Sequence, residues 1–298
     1  MELRHLRYFV AVAEEGSLTV AAEKRLHTAQ PSLSRQIRDL EYEVGVQLLT
    51  RGARGIELTA AGQAFLNHAR LALTQVEAAT EAARRAAHPA KTSFVMGFLT
   101  GLEMEWLPAA MQILHTELPN IEVTIASQPS PELARALQRG SVDVAFIRPE
   151  AEMPELAYKL LVQEPIVAIL PSDHPLAEAS AVDLADIASE TFIMVSKTAP
   201  VLRAVIEDYL RRSGVKITVD HQADNLSMAI SLVASTRGVA LLPVYAQNFL
   251  PWSVISRPLT GEIPKVDLVL GYRQDNTSPM LKLFLSKVDA LLASKQAR

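Results

Sequence analysis

The stretch Thr28 to Gly45 constrains this chain more than any other. Leu33, Ile37, Leu40 and Val44 recur at four, three and four residues, which puts them on one stripe of an α-helix. The opposite side carries Pro31, Ser34, Arg35, Arg38 and Tyr42. Thr28 is placed to cap the first free N–H groups, Pro31 suits the first turn and Gly45 suits the end. The helix therefore has an apolar back and a front of guanidiniums, hydroxyls and the Gln30 amide. Such a front matches the major groove of DNA: Arg pairs with guanine, Gln with adenine, and Ser reaches phosphates or base edges. By itself the pattern also fits a solvated surface helix, so the flanking sequence decides.

Before it, Leu3, Leu6, Phe9, Val10 and Val12–Ala13 predict a first helix ending near Gly16. Ser17 predicts the cap of a second helix, Leu18 to Leu26, whose Ala21 and Ala22 permit close approach. The short turn His27–Ala29 then leads into the reader helix, which is a helix-turn-helix arrangement. After Gly45, V-Q-L-L-T-R, G-A-R-G and I-E-L predict a β-hairpin wing with Arg51 and Arg54 at its tip. Wing arginines suit phosphates or the neighbouring minor groove. Charge alone does not announce nucleic acid. The net charge is −4, and eight acids balance eight bases over residues 1–58. What matters is location: Arg25, Arg35, Arg38, Arg51 and Arg54 are expected on one face.

The run A-A-E-K-R-L-H-T-A-Q-P-S-L-S-R-Q-I-R-D-L-E-x-x-V-G-V-Q-L-L-x-R, followed by L-T-x-A-G, resembles the N-terminal signature of the LysR-type transcriptional regulators. The resemblance implies groove and base contacts for Gln30, Pro31, Ser34 and Arg35. It implies backbone contacts for Ser32, Arg38, Arg51 and Arg54.

Thr59 predicts the start of a long helix running to about His88, with Pro89 as its stop. Phe65, Ala69, Ala72, Val76, Ala79, Ala83 and Ala86 form a heptad-like seam. Such a seam lets two backbones approach but buries little area per residue. It fits either a dimer or a helix packed on its own domain. The resemblance favours paired linker helices, a homodimer and a homotetramer. Two readers on a two-fold axis would match a palindromic operator.

From Thr92 the texture changes. S-F-V-M-G-F, I-E-V-T-I-A and V-D-V-A-F-I are β-rich and alternate with helical segments, Leu102 to His115 and Glu132 to Gln138. Ile166–Leu170, F-I-M-V, a helix Val201 to Ser213, V-K-I-T-V, a helix Leu226 to Ser235 and G-V-A-L-L-P repeat the pattern. V-D-L-V-L-G-Y and a closing helix, Met280 to about Ser294, complete it. This predicts two α/β lobes with crossings near Gln163–Pro165 and Val266–Leu268. It resembles the effector-binding domain of the same family, itself similar to periplasmic binding proteins. Arg237 stands where that family commonly has glycine. The expected plan is a winged helix-turn-helix over 1–58, a linker helix over 59–90 and a two-lobed α/β domain over 91–298. Lobe I takes about 91–163 and 268–298, and lobe II about 164–267.

Ligands in such folds bind at strand C-termini between lobes, where helix N-termini favour small anions. Candidate positions are Thr100, Gly101, Ser130, Arg148, Ser196, Thr198 and Asn225. Each hydroxyl serves equally as a helix cap, and Arg148 serves either a ligand carboxylate or a lobe-to-lobe salt bridge. The expected effector is a small carboxylate.

No G-x-G-x-x-G, Walker, H-E-x-x-H or G-x-S-x-G motif occurs, and the seven histidines lack metal-ligand spacing. No catalytic residue, metal or cofactor is expected. The chain has no cysteine, no signal-peptide core at MELRHLRYF and no bilayer-length apolar stretch. A cytoplasmic protein is therefore expected, without membrane contact, whose partners are double-stranded operator DNA, its own copies and, for an activator, RNA polymerase. The alternative is a constitutive DNA-binding oligomer whose lobes only assemble.

Overall fold

The structure, a computed structural model, describes residues 1–52, 55–87, 93–119, 121–151 and 153–296. The chain forms two compact units, Met1–Ala87 and His88–Arg298.

In the first unit α1 (Leu3–Glu15) ends at Gly16, whose φ of 61° is the left-handed conformation that closes the helix. Ser17 caps α2 (Leu18–Val20), accepting from the Val20 N–H at 3.3 Å. The predicted helix does not continue as α. It widens into a π turn over Ala21–Leu26 and exits through His27 at φ 47°. Ala21 and Ala22 are wholly buried there. Next comes α3 (Gln30–Val44), closed by Gly45. Thr28 does not cap α3. Ala29 occupies that position without a side-chain hydrogen bond, while the Thr28 N–H is spent on the Ala22 carbonyl.

Strands β1 (Leu49–Gly52) and β2 (Gly55–Leu58) pair antiparallel as the wing. The helix α4 (Ala60–Ala87) follows. Thr59 opens it, its hydroxyl accepting from the Gly62 N–H at 2.9 Å and donating to the Gln47 carbonyl at 2.8 Å. Gly62 is required there: a Cβ would lie 1.9 Å from the Leu48 carbonyl oxygen. This accounts physically for the glycine of L-T-x-A-G. Leu6, Phe9, Leu33, Ile37, Leu40 and Leu66 form the core.

The expected seam divides. Phe65 stacks edge-on against Phe9 at 5.2 Å and Ala69 is buried in the same core, so both serve their own unit. Ala72, Ala79 and Ala83 are exposed and Val76 is half-buried. Ala86 falls within α4, and the expected end of the helix at 88–89 lies outside the described residues.

The second unit is α/β. In lobe I, β3 (Ser93–Leu99) lies parallel to β4 (Glu122–Gln128) and β5 (Val144–Ile147). Helices α5 (Glu103–Glu117) and α6 (Ser130–Gln138) connect them. The 16-residue β6 (Leu156–Pro171) runs through both lobes. Its first part pairs antiparallel with β11 (Lys265–Arg273) as far as Pro165, and from Ile166 it pairs with β9 (Val239–Pro243). Lobe II adds β7 (Phe192–Val195), α7 (Pro200–Ser213), β8 (Val219–Ala223), α8 (Leu226–Thr236) and β10 (Val254–Pro258). The strand expected at V-K-I-T-V begins only at Val219. Before it, Val215 and Ile217 run irregularly but pack on the lobe II core.

Arg237 ends α8 at φ 56°, the conformation that explains why a glycine suits this position. The closing helix is broken into α9 (Pro279–Ser286) and α10 (Val288–Gln296). Among the described residues no helix is long and apolar enough to cross a membrane, and no cluster of His, Asp and Glu could hold a metal.

Candidate nucleic-acid interface and ligand cleft

The back of α3 is buried and its front is open. Leu33 and Leu40 are wholly buried, whereas the Arg35 side chain is 78% exposed. Pro31, Ser32 and Arg38 are exposed, and Gln30 and Ser34 are half-buried. Among the described residues Arg35 has only a long contact to Asp39, 3.9 Å one turn on, and Arg38 reaches the Ser34 carbonyl at 3.4 Å. Neither guanidinium is committed to the fold, since exposed ion pairs are weak. No side chain caps α3, so its first-turn N–H groups are available to an anion such as phosphate.

Six of the eight DNA-facing candidates thus sit on or at the start of one helix front. Of the other two, Arg51 occupies β1 opposite Ile56, one pair before the hairpin's last, Gly52–Gly55. Arg54 lies outside the described residues. Arg25 does not join this face. It pairs with Glu14 at 2.5 Å and Glu15 at 3.7 Å, while Arg70 of α4 donates to the same Glu14 at 2.7 Å. Burial pushes the Glu14 carboxyl up, but hydrogen bonds from Arg70 and Arg25 and their charges outweigh it, leaving the pKa lowered.

Sequence reasoning missed Glu41. Its Oε1 accepts from the N–H groups of Leu48 and Leu49 at 2.8 and 2.9 Å, fixing where the wing starts. A second fixed point is the Ile56 N–H, which donates to the Gly16 carbonyl at 2.8 Å. The wing is therefore anchored to both α3 and the end of α1.

In the second unit a cleft between the lobes is lined by Thr100, Ser130, Arg148, Thr198 and Asn225. Gly101 and Ser196, also expected, do not line it. The Gly101 N–H is taken by Glu103 at 2.8 Å. Buried Ser196 holds the Thr198 hydroxyl at 2.9 Å. Two of these side chains are already engaged: Ser130 Oγ accepts from the Arg148 N–H at 3.0 Å, tying the start of α6 to the end of β5, and Asn225 Oδ1 caps α8, accepting from the Met228 N–H at 2.9 Å.

Of the two roles open to Arg148, the structure shows the salt bridge. Its Nη2 donates to Glu164 at 2.5 Å, its Nη1 donates to the Asp267 carbonyl at 3.1 Å, and the guanidinium lies 5.8 Å from the Tyr245 ring centre. Glu164 belongs to β6 just before that strand changes partners, so Arg148 ties β5 to the hinge. Its ion-pairing capacity is largely spent there. Tyr245, buried in the cleft wall, has its phenol pushed up to about 12, mainly by burial, with the Arg148 charge opposing.

What the cleft offers an anion is helix N-termini. The starts of α6, α7 and α8 all reach it, through Ser130, Pro200–Leu202 and Asn225–Leu226. Neither α6 nor α7 carries a side-chain cap. The remaining wall is mainly apolar, including Leu99, Val195 and Leu242. The space amounts to ≈ 80 Å³. That is about half the roughly 150 Å³ enclosed cavity that takes benzene.

Comparison with known proteins agrees with both halves. Residues 3–63 match the family described as "Bacterial regulatory helix-turn-helix protein, lysR family", and residues 87–292 match "LysR substrate binding domain". The chain is 36% identical over 301 residues to the Hca operon transcriptional activator HcaR of Escherichia coli, covering 100% of both. It is 33% identical over 262 residues to the regulator BenM of Acinetobacter baylyi, covering 87% of this chain and 86% of BenM. A crystal structure of full-length BenM superposes with a TM-score of 0.60 at 28% identity, over 99% of this chain and 98% of that one. Full-length CbnR complexed with its target DNA gives 0.58 at 26%, over 98% and 100%. The chain belongs to the LysR family: it is a DNA-binding transcriptional regulator with a C-terminal effector-binding domain.

Proposed function

We propose that α3 reads an operator through Gln30, Pro31, Ser34 and Arg35, while Ser32, Arg38, Arg51 and Arg54 hold the backbone, and that a small carboxylate in the interlobe cleft controls the outcome. The observation that carries the second part is the convergence of α6, α7 and α8 N-termini on one mainly apolar cleft. Their partial positive charge, and at α6 and α7 first-turn N–H groups that no side chain caps, favour an anion, and the walls favour an apolar body. Thr100 and Thr198 add hydroxyls beside it. Arg148 acts in this reading as the hinge tie rather than as the ligand's counter-ion.

The protein works in the cytoplasm without a cofactor or catalysis of its own, as a homodimer assembled into a tetramer. Its winged domain spans 1–58, its linker 59–90 and its sensor 91–298. Ligand binding shifts an existing equilibrium between lobe arrangements, which changes the separation of paired readers and the bend of the operator. Thermal unfolding of the full chain against a panel of small acids tests the switch. At a hundred times Kd a true effector stabilises by about 2.7 kcal/mol. Stabilisation by none of the acids, with an operator footprint unchanged by any, would leave a constitutive DNA-binding oligomer instead.

A further inference from the structure

The cleft that favours an anion also contains an acid. Glu150 lines it, three residues after the β5 end; the residue is half-buried, and its Oε1 is closed off from solvent without a hydrogen-bond partner among the described residues. The backbone there is fixed: the Tyr158 hydroxyl donates to the Glu150 carbonyl at 3.2 Å and accepts from the Glu150 N–H at 3.3 Å. Neighbouring Arg148 cannot answer this carboxyl, being committed to Glu164 and the Asp267 carbonyl. Burial raises the Glu150 pKa, with the charge of Arg135 only partly opposing it. A carboxyl oxygen enclosed in this way is costly unless something donates to it.

We propose that Glu150 is a second recognition point of the cleft, accepting a hydrogen bond from a hydroxyl on the ligand's apolar body while the ligand's carboxylate lies against the starts of α6 and α7. This rests on reading the cleft as the effector site and narrows the ligand to hydroxylated apolar acids. A hydroxyl fits better than an ammonium. Leu99, Val195, Leu226 and Leu242 line the same space and would have to strip a full charge of its water. An acid lacking the hydroxyl leaves Glu150 unanswered and is rejected on that account.

Calorimetric titration of the full-length chain tests this with matched probes: benzoate against para-hydroxybenzoate, and hexanoate against its omega-hydroxy and omega-amino forms. In at least one pair the hydroxylated acid should bind about tenfold or more tightly than its parent. Glu150→Leu should erase that ratio by weakening the hydroxylated acid, not the parent. Glu150→Gln, which keeps shape and an acceptor but no charge, should leave a reduced preference and guards against misfolding of the first variant. Equal affinity of parent and hydroxylated acids, or a preference that survives in Glu150→Leu, overturns the role of Glu150 while leaving the anion site intact. Tighter binding of the amino form overturns the hydroxyl assignment. Failure of every acid to bind overturns the cleft reading together with this one.

Discussion

Replacing Arg148 by Met should unlatch the hinge at a predictable cost. The Arg148 and Glu164 side chains are each 4% exposed. Removing one partner of such a pair leaves the other charge without its main counter-ion, at about 3–5 kcal/mol, whereas removing both is often close to neutral. Arg148→Met/Glu164→Gln should therefore recover more than half of the loss. Both tryptophans, Trp106 and Trp252, belong to the second unit, and only Trp106 is buried, against Phe146. Fluorescence during urea unfolding consequently reports on lobe I without interference from the DNA-binding unit. With a slope of about 3 kcal/mol/M for a unit of this size, the single variant should move the midpoint down by roughly 1–1.7 M. A shift below about 0.3 M, or single effects that simply add in the double variant, would refute the latch.

Three further outcomes follow from the N-terminal unit. Arg35→Ala should weaken specific binding by about 1–3 kcal/mol and relax base preference, while Arg51→Ala should weaken all duplexes alike and flatten the salt slope, as titrations on operator and random DNA will show. Gly62→Ala gains helix propensity of about 1 kcal/mol but drives a Cβ against the Leu48 carbonyl, so amide exchange in α1 and α4 should quicken; slower exchange would contradict the close approach. Because the Glu14 pKa is lowered in the folded state, its ties to Arg25 and Arg70 are at full strength above the ordinary carboxylate range and fade as pH falls through the lowered value. Glu14→Gln should thus destabilise at neutral pH by no more than about 1 kcal/mol, since the network is partly exposed, and leave stability in strong acid unchanged. An equal loss at both pH values would assign Glu14 a packing role instead.

Much of this was written locally. The stripe of α3, the caps at Ser17 and Thr59 and the glycine stops each depend on neighbours within four residues. Features set by distant partners were not. The π turn at Ala21–Leu26 has no local sequence mark. β8 reads V-D-H-Q-A because an edge strand needs little apolar surface, so its alternation is weak. The sequence left Arg148 open between a ligand carboxylate and a salt bridge because Glu164 and the Asp267 carbonyl, 16 and 119 residues away, carry no mark of their pairing with it. Glu41 and Glu150 likewise carry no local mark of their surroundings. One is a clamp on backbone N–H groups and the other faces the cleft.

The shared ribbon of β6 and β11 bears on how such a regulator can be recombined. The lobes resemble two modules, but a cut at the hinge would deprive each sheet of an interior strand, since one continuous β6 serves both. Excised halves should collapse rather than fold. The viable joint for exchanging sensors among DNA readers is the boundary between Ala87 and His88, where one compact unit gives way to the next.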